Sequence, residues 1–262
     1  MRVLVTNDDG VLAPGLITVA STLHEQGHDV FVVAPLTERS GSGTALGTLD
    51  DGATIAVEKV SLPGLDIEAH GIDAPPAMGV LAAGLGQFGS PPELVVSGIN
   101  PGHNTGRSVL FSSTVGGALT AFTIGIPAIA ISCGFEPTHR FDTAAAIAGR
   151  AVTWLQSQQL PLVCLNINVP DLDLDQICDI RLTELSGRSL FRLGFERSEN
   201  ALTLHRVPNS SKLGSGTDSG VVQNGSISVS FLESIGTAAP TAAVTGLIEH
   251  LGMDLSSPVP SS

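Results

Sequence analysis

The stretch Val3-Leu4-Val5-Thr6-Asn7-Asp8-Asp9-Gly10 joins a short apolar run to two adjacent carboxylates. The apolar run predicts a buried strand, and the acids come directly after its carboxyl end. In open α/β sheets, binding and catalytic groups gather just beyond the carboxyl ends of the parallel strands. Two neighbouring anions repel each other there unless a cation lies between them. A bound divalent metal ion is the simplest way to balance the two charges. The alternative interpretation is a pair of loop aspartates that cap the next helix.

Short apolar runs alternate with helix-period segments through the first two thirds of the chain. Strands are predicted at residues 3–6, 29–34, 54–60, 67–70, 94–97, 128–132 and 163–168. Helices are predicted at residues 15–26, 76–85, 114–124 and 141–156. Apolar strands separated by helices indicate a parallel sheet that is covered on both faces. The expected fold class is therefore α/β, a Rossmann-like three-layer sandwich with a mainly parallel sheet.

The character of the chain changes after residue 171, where the segments become shorter and more polar. Residues 177–184, 189–195 and 201–207 are predicted to form an antiparallel hairpin or arm, and residues 241–251 a closing helix. An isolated hairpin is marginal in water, so we expect the arm to pack against a second subunit. Residues 1–170 are then the catalytic core, and residues 171–262 are the arm and closing helix of the same domain, serving oligomerisation.

Composition narrows the range of partners. The 262-residue chain has a formal net charge of −13. So acidic a surface repels anionic membranes and the backbone of duplex nucleic acid, and a phosphate site on it needs a local cation. Cys133, Cys164 and Cys178 are odd in number and lack C-x-x-C spacing. We therefore expect buried, reduced thiols in a cytoplasmic protein, and the absence of signal-peptide features at the N-terminus agrees.

A charge-free stretch from Val109 to Phe135 is long enough to suggest a membrane span. The break at Gly125-Ile126-Pro127 divides it, however, and a turn inside a bilayer leaves backbone groups unpaired. The stretch therefore predicts a buried helix, a turn and a buried strand, and no membrane partner is expected.

Three loops are predicted to meet at one rim of the sheet, because each follows a parallel strand. They are residues 7–10, 38–43 and 97–104. Together they offer two carboxylates, a hydroxyl and an amide carbonyl. Hard oxygen ligands of this kind suit Mg²⁺, Mn²⁺ or Ca²⁺ rather than zinc or copper. Two carboxylates balance one divalent charge, and open coordination positions remain for water and a substrate oxygen.

Other polar residues near this rim each allow two interpretations. A helix begins after Phe111-Ser112-Ser113-Thr114, whose hydroxyls either cap the helix or, with its free N–H groups, bind an anion. His103 either protonates a leaving group or is a solvated loop histidine. Arg39 and Arg107 either pair with a phosphate or face water or a nearby acid.

Three motifs in combination resemble the SurE (survival protein E) family of metal-dependent 5′/3′-nucleotidases: V-T-N-D-D-G-V-x-A-P-G, V-V-A-P-x-x-x-R-S-G and V-V-S-G-I-N-x-G-x-N. The similarity continues through residues 112–115, 125–127, 165–170, 217–218 and 225–229.

The resemblance implies hydrolysis of nucleoside monophosphates. In the mechanism that we expect for it, the catalytic residues are Asp8 and Asp9, either of which positions or deprotonates the attacking water. It implies one divalent metal ion per subunit, with four ligands: Asp8, Asp9, Ser40 and Asn100. The positions that match the family's phosphate pocket are Asn104, Ser112, Ser113 and Thr114. A homodimer or homotetramer built through the C-terminal arm is also implied.

The chain departs from the family pattern around the pocket. Where the family usually has S-G-T, this chain has Ser112-Ser113-Thr114, so a side chain replaces a glycine that lets a phosphate approach. Arg107-Ser108 stands where acidic residues are common, and Thr120-Ala121 where a glutamate and a glycine are usual. The G-T-P-x-D-C helix start appears as residues 73–78 without its aspartate. The metal ligand set is complete, whereas the pocket rim is altered.

The leading hypothesis is a cytoplasmic, metal-dependent phosphomonoesterase that acts on nucleoside monophosphates. The altered rim motivates an alternative, a degenerate family member that binds nucleotide or metal without significant turnover. A phosphatase with an aspartyl-phosphate intermediate ranks below both, because that chemistry needs a carboxylate free to attack phosphorus and both acids are assigned to the metal.

Overall fold

The fold is described from a computed structural model, which covers residues 1–135, 139–209 and 213–233. The helix predicted at residues 241–251 lies outside the described residues. The strands are β1 Arg2–Thr6, β2 Asp29–Pro35, β3 Val57–Lys59, β4 Glu68–Ile72, β5 Leu94–Pro101, β6 Ala128–Cys133, β7 Cys164–Asn168, β8 Ile180–Leu182, β9 Phe191–Arg197, β10 Leu202–Pro208 and β11 Ile227–Leu232. The α-helices are α1 Pro14–Glu25, α2 Pro76–Gly84, α3 Ser113–Thr123, α4 Phe141–Ser157 and α5 Asp218–Gln223, and 3₁₀ turns lie at Gly106–Phe111 and Leu174–Gln176.

Nine of the described strands form one sheet, in the order β3-β4-β2-β1-β5-β6-β7-β11-β8. The pairs from β4 through β7 are parallel, and β3 and β11 run antiparallel to β4 and β7. β1 lies between β2 and β5, so Val3 pairs with both Val30 and Leu94. Strands β9 and β10 form a separate antiparallel hairpin. The predicted fold class, a mainly parallel α/β sheet with an additional hairpin, is confirmed.

Helices cover both faces of the sheet, as the apolar strands require. Alternate residues of β1 face opposite layers: Val3 and Val5 belong to one core cluster and Leu4 to the other. The first cluster includes the buried residues of α1 and α4, and the second includes those of α2 and α3. Both clusters consist mostly of Ala, Val, Leu and Ile, because the chain is poor in aromatic residues. The result is a three-layer arrangement with the sheet in the middle.

The C-terminal part contributes to the main sheet as well as to the arm. Residues 177–184, which we assigned to the arm, contain β8, and β8 pairs with β11 in the main sheet. Neither β11 nor α5 was predicted. β11 carries Ser228 and Ser230, whose side chains are buried inside the fold. The hairpin alone corresponds to the predicted arm.

The thiols and the charge-free stretch have clear places in the fold. Cys133 and Cys164 are buried, but Cys178 is exposed, so the expectation that all three are buried was wrong. Cys178 lies outside the strands, just before β8, where nothing requires burial.

Residues 109–135 form the end of a 3₁₀ turn, α3 and β6, as predicted in outline. Within the described residues, no helix combines the length and apolar character that crossing a bilayer requires.

Candidate metal and phosphate site

A cavity of about 470 Å³ opens where the loops after β1, β2 and β5 meet. These three strands are neighbours in the sheet, so their carboxyl ends lie side by side at the point where the strand order reverses. Six of the eight predicted site residues line this cavity: Asp8, Asp9, Ser40, Asn100, Asn104 and Ser112. The other two, Ser113 and Thr114, are buried at the start of α3.

Asp8 and Asp9 form an acid pair in the loop that follows β1, and both line the cavity. Burial raises the pKa of Asp9 to about 7, with further contributions from the charges of Asp8 and Glu38. Burial also raises the pKa of Asp8, while hydrogen bonds from Thr114 and Ser40 oppose that shift. Both carboxyl groups are therefore held in a place where negative charge is unfavourable unless a cation balances it.

The hydrogen bonding of the acid pair is incomplete. Oδ1 of Asp8 accepts a 2.5 Å hydrogen bond from the Thr114 hydroxyl. Oδ2 of Asp9 is buried and has no hydrogen-bond partner among the described residues. Neither acid forms an ion pair with a side chain in the described ranges. A buried carboxylate oxygen without a partner is rare in proteins, and a divalent cation fits this arrangement.

Ser40 and Asn100 bring neutral oxygens to the same cavity. The backbone N–H of Arg39 donates to the Asp8 carbonyl at 2.7 Å, which ties the Ser40 loop to the first loop. A bulge in β5 shifts its register with β6 just before Asn100 and redirects that side chain. The Asn100 Nδ2 donates to the Gly102 carbonyl at 2.6 Å, so the amide oxygen is not used in that bond.

The four predicted ligands thus line one cavity and fit a hard divalent cation. Among residues 1–135, 139–209 and 213–233, no group of three or more His, Cys, Asp or Glu side chains surrounds a possible metal position. Two carboxylates, a hydroxyl and an amide oxygen are accordingly the set that this site offers.

The hydroxyls at the start of α3 have different roles from one another. Ser112 lines the cavity and caps the helix, its Oγ accepting a 3.1 Å hydrogen bond from the Val115 N–H. The Ser113 hydroxyl donates to the Arg39 carbonyl at 2.9 Å and accepts from the Ser42 N–H at 2.9 Å. The side chain that replaces the family's glycine therefore binds the second loop instead of lining the cavity. Thr114 holds Asp8, as described above.

Asn104 is held in place by a buried asparagine pair on β7. Its backbone N–H donates to Asn168 Oδ1 at 2.7 Å, and its carbonyl accepts from Asn166 at 2.9 Å and from Asn168 at 3.1 Å. Its own Nδ2 donates to the Ser132 hydroxyl at 2.9 Å. We did not assign a role to Asn166 or Asn168 from the sequence. Two asparagines at alternate positions of an otherwise apolar strand were the available signal.

Asp218 is another buried polar residue to which no role was assigned from the sequence. Its carboxylate accepts hydrogen bonds from the backbone N–H groups of Gly106 at 2.7 Å, Ser186 at 2.8 Å and Ser219 at 2.6 Å. Gly106 follows the Asn104 segment, and Ser186 precedes the hairpin. Asp218 therefore connects the cavity loop to the base of the hairpin.

The charged and titratable residues near the rim differ in the partners that they contact. Arg39 pairs with Asp73 at 2.5 Å and so faces a nearby acid. Arg107 and Arg206 line the cavity, and neither forms an ion pair within the part of the chain that is described. His103 also lines the cavity, with Nε2 2.8 Å from the Val169 carbonyl, and burial lowers its pKa. It is thus anchored to the Val169 carbonyl, and its charged form is disfavoured.

Comparison with known proteins identifies the family of this chain. The family model described as "Survival protein SurE" matches residues 3–192. A protein named 5′-nucleotidase SurE from Gloeobacter violaceus is 42% identical over 189 residues, covering 72% of this chain and 71% of the relative. A protein with the same name from Dehalococcoides mccartyi is 37% identical over 238 residues, covering 88% of each chain.

A solved structure gives the same result for the fold. The crystal structure of the SurE protein from Aquifex aeolicus superposes with a TM-score of 0.78 at 28% sequence identity. The superposition covers 96% of this chain and 100% of that one. The resemblance first noted in three motifs therefore extends over nearly the whole molecule, and the chain belongs to the SurE family.

Proposed function

We propose that this protein hydrolyses nucleoside 5′- and 3′-monophosphates to a nucleoside and phosphate, with the help of a divalent metal ion. The relatives named as 5′-nucleotidases support the reaction class. The observation that carries the proposal is the buried acid pair, whose unpartnered Asp9 oxygen lies among the hydroxyl and amide groups of one cavity. The degenerate alternative receives no support from these relatives.

One cation, Mg²⁺, Mn²⁺ or Ca²⁺, would be held by Asp8, Asp9, Ser40 and Asn100. When bound, such an ion polarises a phosphate oxygen and lowers the pKa of a water molecule that it binds. Asp8 is fixed by Thr114 and would be one of the ligands. Asp9 has the buried oxygen without a protein partner, so it is suited to orient the attacking water or to accept its proton.

The phosphate would lie between the acid pair and the start of α3. Ser113 and Thr114 form the first turn of α3, where backbone N–H groups have no acceptor within the helix and lie at the positive end of its dipole. Asn104 supplies an amide at the same cavity, and Arg107 supplies the nearby cation that a chain of net charge −13 needs to attract a phosphate.

We also infer a homodimer or homotetramer formed through the hairpin. Exposed apolar side chains concentrate there, with Phe195 63%, Leu202 66% and Leu204 54% exposed. Phe195 and Leu204 are directly opposite each other across the two strands, so they share one face of the hairpin. A second subunit that covers this face removes apolar surface from water. The cytoplasmic location stays a prediction from the cysteine content.

The test is a metal-by-substrate matrix of phosphate release from purified protein. AMP, its 3′ isomer and other nucleotides are each assayed with Mg²⁺, Mn²⁺ and Ca²⁺, and with EDTA. We expect release with at least one metal and its loss in EDTA. Asp8→Asn and Asp9→Asn should each lower kcat at least about a hundredfold, the scale for losing an acid–base or charge-stabilising group.

Asp51→Asn is the matched control, because Asp51 is exposed and lies outside the cavity. It should turn over AMP like the unmodified protein. No release from any nucleotide with any metal would reject the hydrolase and leave the binding-only family member. Normal turnover by Asp9→Asn would reject the role of that acid.

A further inference from the structure

Aromatic rings are concentrated in the cavity far beyond what the composition provides. The chain has nine phenylalanines, one tryptophan and no tyrosine. Three of those nine phenylalanines, Phe111, Phe135 and Phe191, line this single cavity. We call them the aromatic wall. The metal and phosphate groups described above account for none of them.

Phe135 is held rigidly at the edge of the third loop. A Cβ atom at Gly102 would lie 2.3 Å from Cε1 of Phe135, so only a glycine lets the ring rest on that backbone. The rings of Phe135 and Phe191 meet nearly perpendicularly, with centroids 5.1 Å apart. The guanidinium of Arg206 lies 5.5 Å from the Phe135 ring centre. The Phe135 and Phe191 rings of the aromatic wall are therefore preorganised, which lowers the entropy cost of binding a flat ligand.

Part of the wall comes from the hairpin. Phe191 and Leu193 are on β9, and Arg206 is on β10 directly opposite Leu193, so these side chains share one face. All three line the cavity. The loops after β1, β2 and β5 supply its polar groups, and the hairpin supplies much of its apolar surface. This division is typical of a site for a ligand with one anionic and one apolar end.

We propose that the aromatic wall is a nucleobase subsite, with Phe191 as its principal specificity-determining residue. The proposal rests on the hydrolysis of nucleotides proposed above and adds the part of the substrate that the protein recognises. Stacking on phenylalanine accepts every base, because every base has a π-face. The protein then acts on nucleotides in preference to phosphate esters without a base, and on purine in preference to pyrimidine nucleotides, because purines offer more stacking area.

A purely structural role for the same contacts gives a different expectation. In that case Phe191 and Arg206 only fasten the hairpin to Phe135, and their loss lowers stability without changing ligand selectivity. The two roles are separated by a binding measurement that needs neither metal nor turnover.

The first measurement is titration calorimetry of adenosine against the full-length protein in EDTA. Phe191→Ala should weaken adenosine binding about tenfold, within the range known for loss of base–aromatic stacking. Phe191→Trp should retain binding, because it keeps a ring, and Phe191→Leu tests the loss of the ring at similar bulk. Phe231→Ala is the matched control, since Phe231 is 53% exposed and lies outside the cavity.

The second measurement compares kcat/KM for AMP and for ribose 5-phosphate, which has the same phosphate ester but no base. Phe191→Ala should lower kcat/KM for AMP about tenfold through KM and leave ribose 5-phosphate unchanged. Equal kcat/KM for the two substrates in the unmodified protein would overturn the subsite and leave the phosphatase intact. A lower melting temperature in Phe191→Ala with unchanged adenosine affinity would also overturn it. Adenosine binding without phosphate release from any substrate would instead reject the proposed function and retain the subsite.

Discussion

At the scale of single residues, the hydroxyl of Thr114 controls the orientation and charge of Asp8. It donates a 2.5 Å hydrogen bond to a buried carboxylate and lowers its pKa against the effect of burial. Thr114→Val keeps the shape of the side chain and removes the donor. We expect kcat for AMP to fall about tenfold, equivalent to about 1.4 kcal/mol in the barrier, in steady-state assays at saturating metal.

Thr114→Ser is the conservative partner of that variant, because it retains the hydroxyl. It should recover most of the lost activity. If Thr114→Val and Thr114→Ser are equally impaired, the methyl packing of Thr114 matters and its hydrogen bond to Asp8 does not.

The raised pKa of Asp9 predicts a pH-dependent stability for the metal-free protein. The pKa is 3.8 in the reference state and about 7 in the folded protein, so the folded state binds the proton more tightly than the unfolded state does. The free energy of unfolding therefore decreases as the pH rises through the window between these two values. In EDTA, the melting temperature should fall between about pH 4 and about pH 7, and it should fall less in Asp9→Asn.

A divalent metal should act in the opposite direction, since it binds the ionised carboxylates and competes with the proton. The rise in melting temperature on adding Mn²⁺ should be larger at about pH 8 than at about pH 5. Equal rises at both pH values would show that Mn²⁺ binds away from the acid pair.

At the scale of elements, Asp218 at the start of α5 joins parts that are distant in sequence. Asp218→Ala leaves the N–H groups of Gly106, Ser186 and Ser219 buried without that acceptor, at a cost of about 1–3 kcal/mol for each unsatisfied group. We expect a clear loss of melting temperature and a higher KM for AMP, because the cavity loop loses its anchor.

Asp179→Ala is a suitable control, because the Asp179 carboxylate is exposed and pairs with the exposed Arg181. Its melting temperature and KM should stay close to those of the unmodified protein. An unchanged KM in a folded Asp218→Ala protein would limit Asp218 to a structural role.

The strands and helices also differ in how well the sequence pattern predicted them. The strands β1, β2, β6 and β7 and the helices α1 to α4 were predicted nearly to their bounds, because their apolar residues follow the period of a buried element. β11 was missed although its serines alternate with apolar residues at the period of a strand, and α5 was missed because it has only six residues. Both are stabilised by tertiary contacts that a short segment does not encode.

At the largest scale, the hairpin lies both at the cavity and at the proposed subunit interface. Its inner residues line the cavity, while Phe195 and Leu204 farther along the same face are exposed. Phe195→Glu with Leu204→Lys should convert the oligomer to a monomer in light scattering, because charges on that face oppose its burial. Thr203→Glu with His205→Lys, on the other face, is the control. A protein that is monomeric before any substitution would contradict the assembly.

Local sequence patterns were enough to predict the parallel part of the sheet, its two helical layers and the three loops that carry Asp8, Asp9, Ser40 and Asn100. These follow from local periodicity and from the rule that loops after neighbouring parallel strands open at one edge. Which side chains reach the cavity depends on contacts between distant parts of the chain. Ser113 faces the second loop, Thr114 holds Asp8, and Phe191 reaches the cavity from a distant hairpin, since such contacts join residues far apart in the chain whose mutual distance no local pattern specifies.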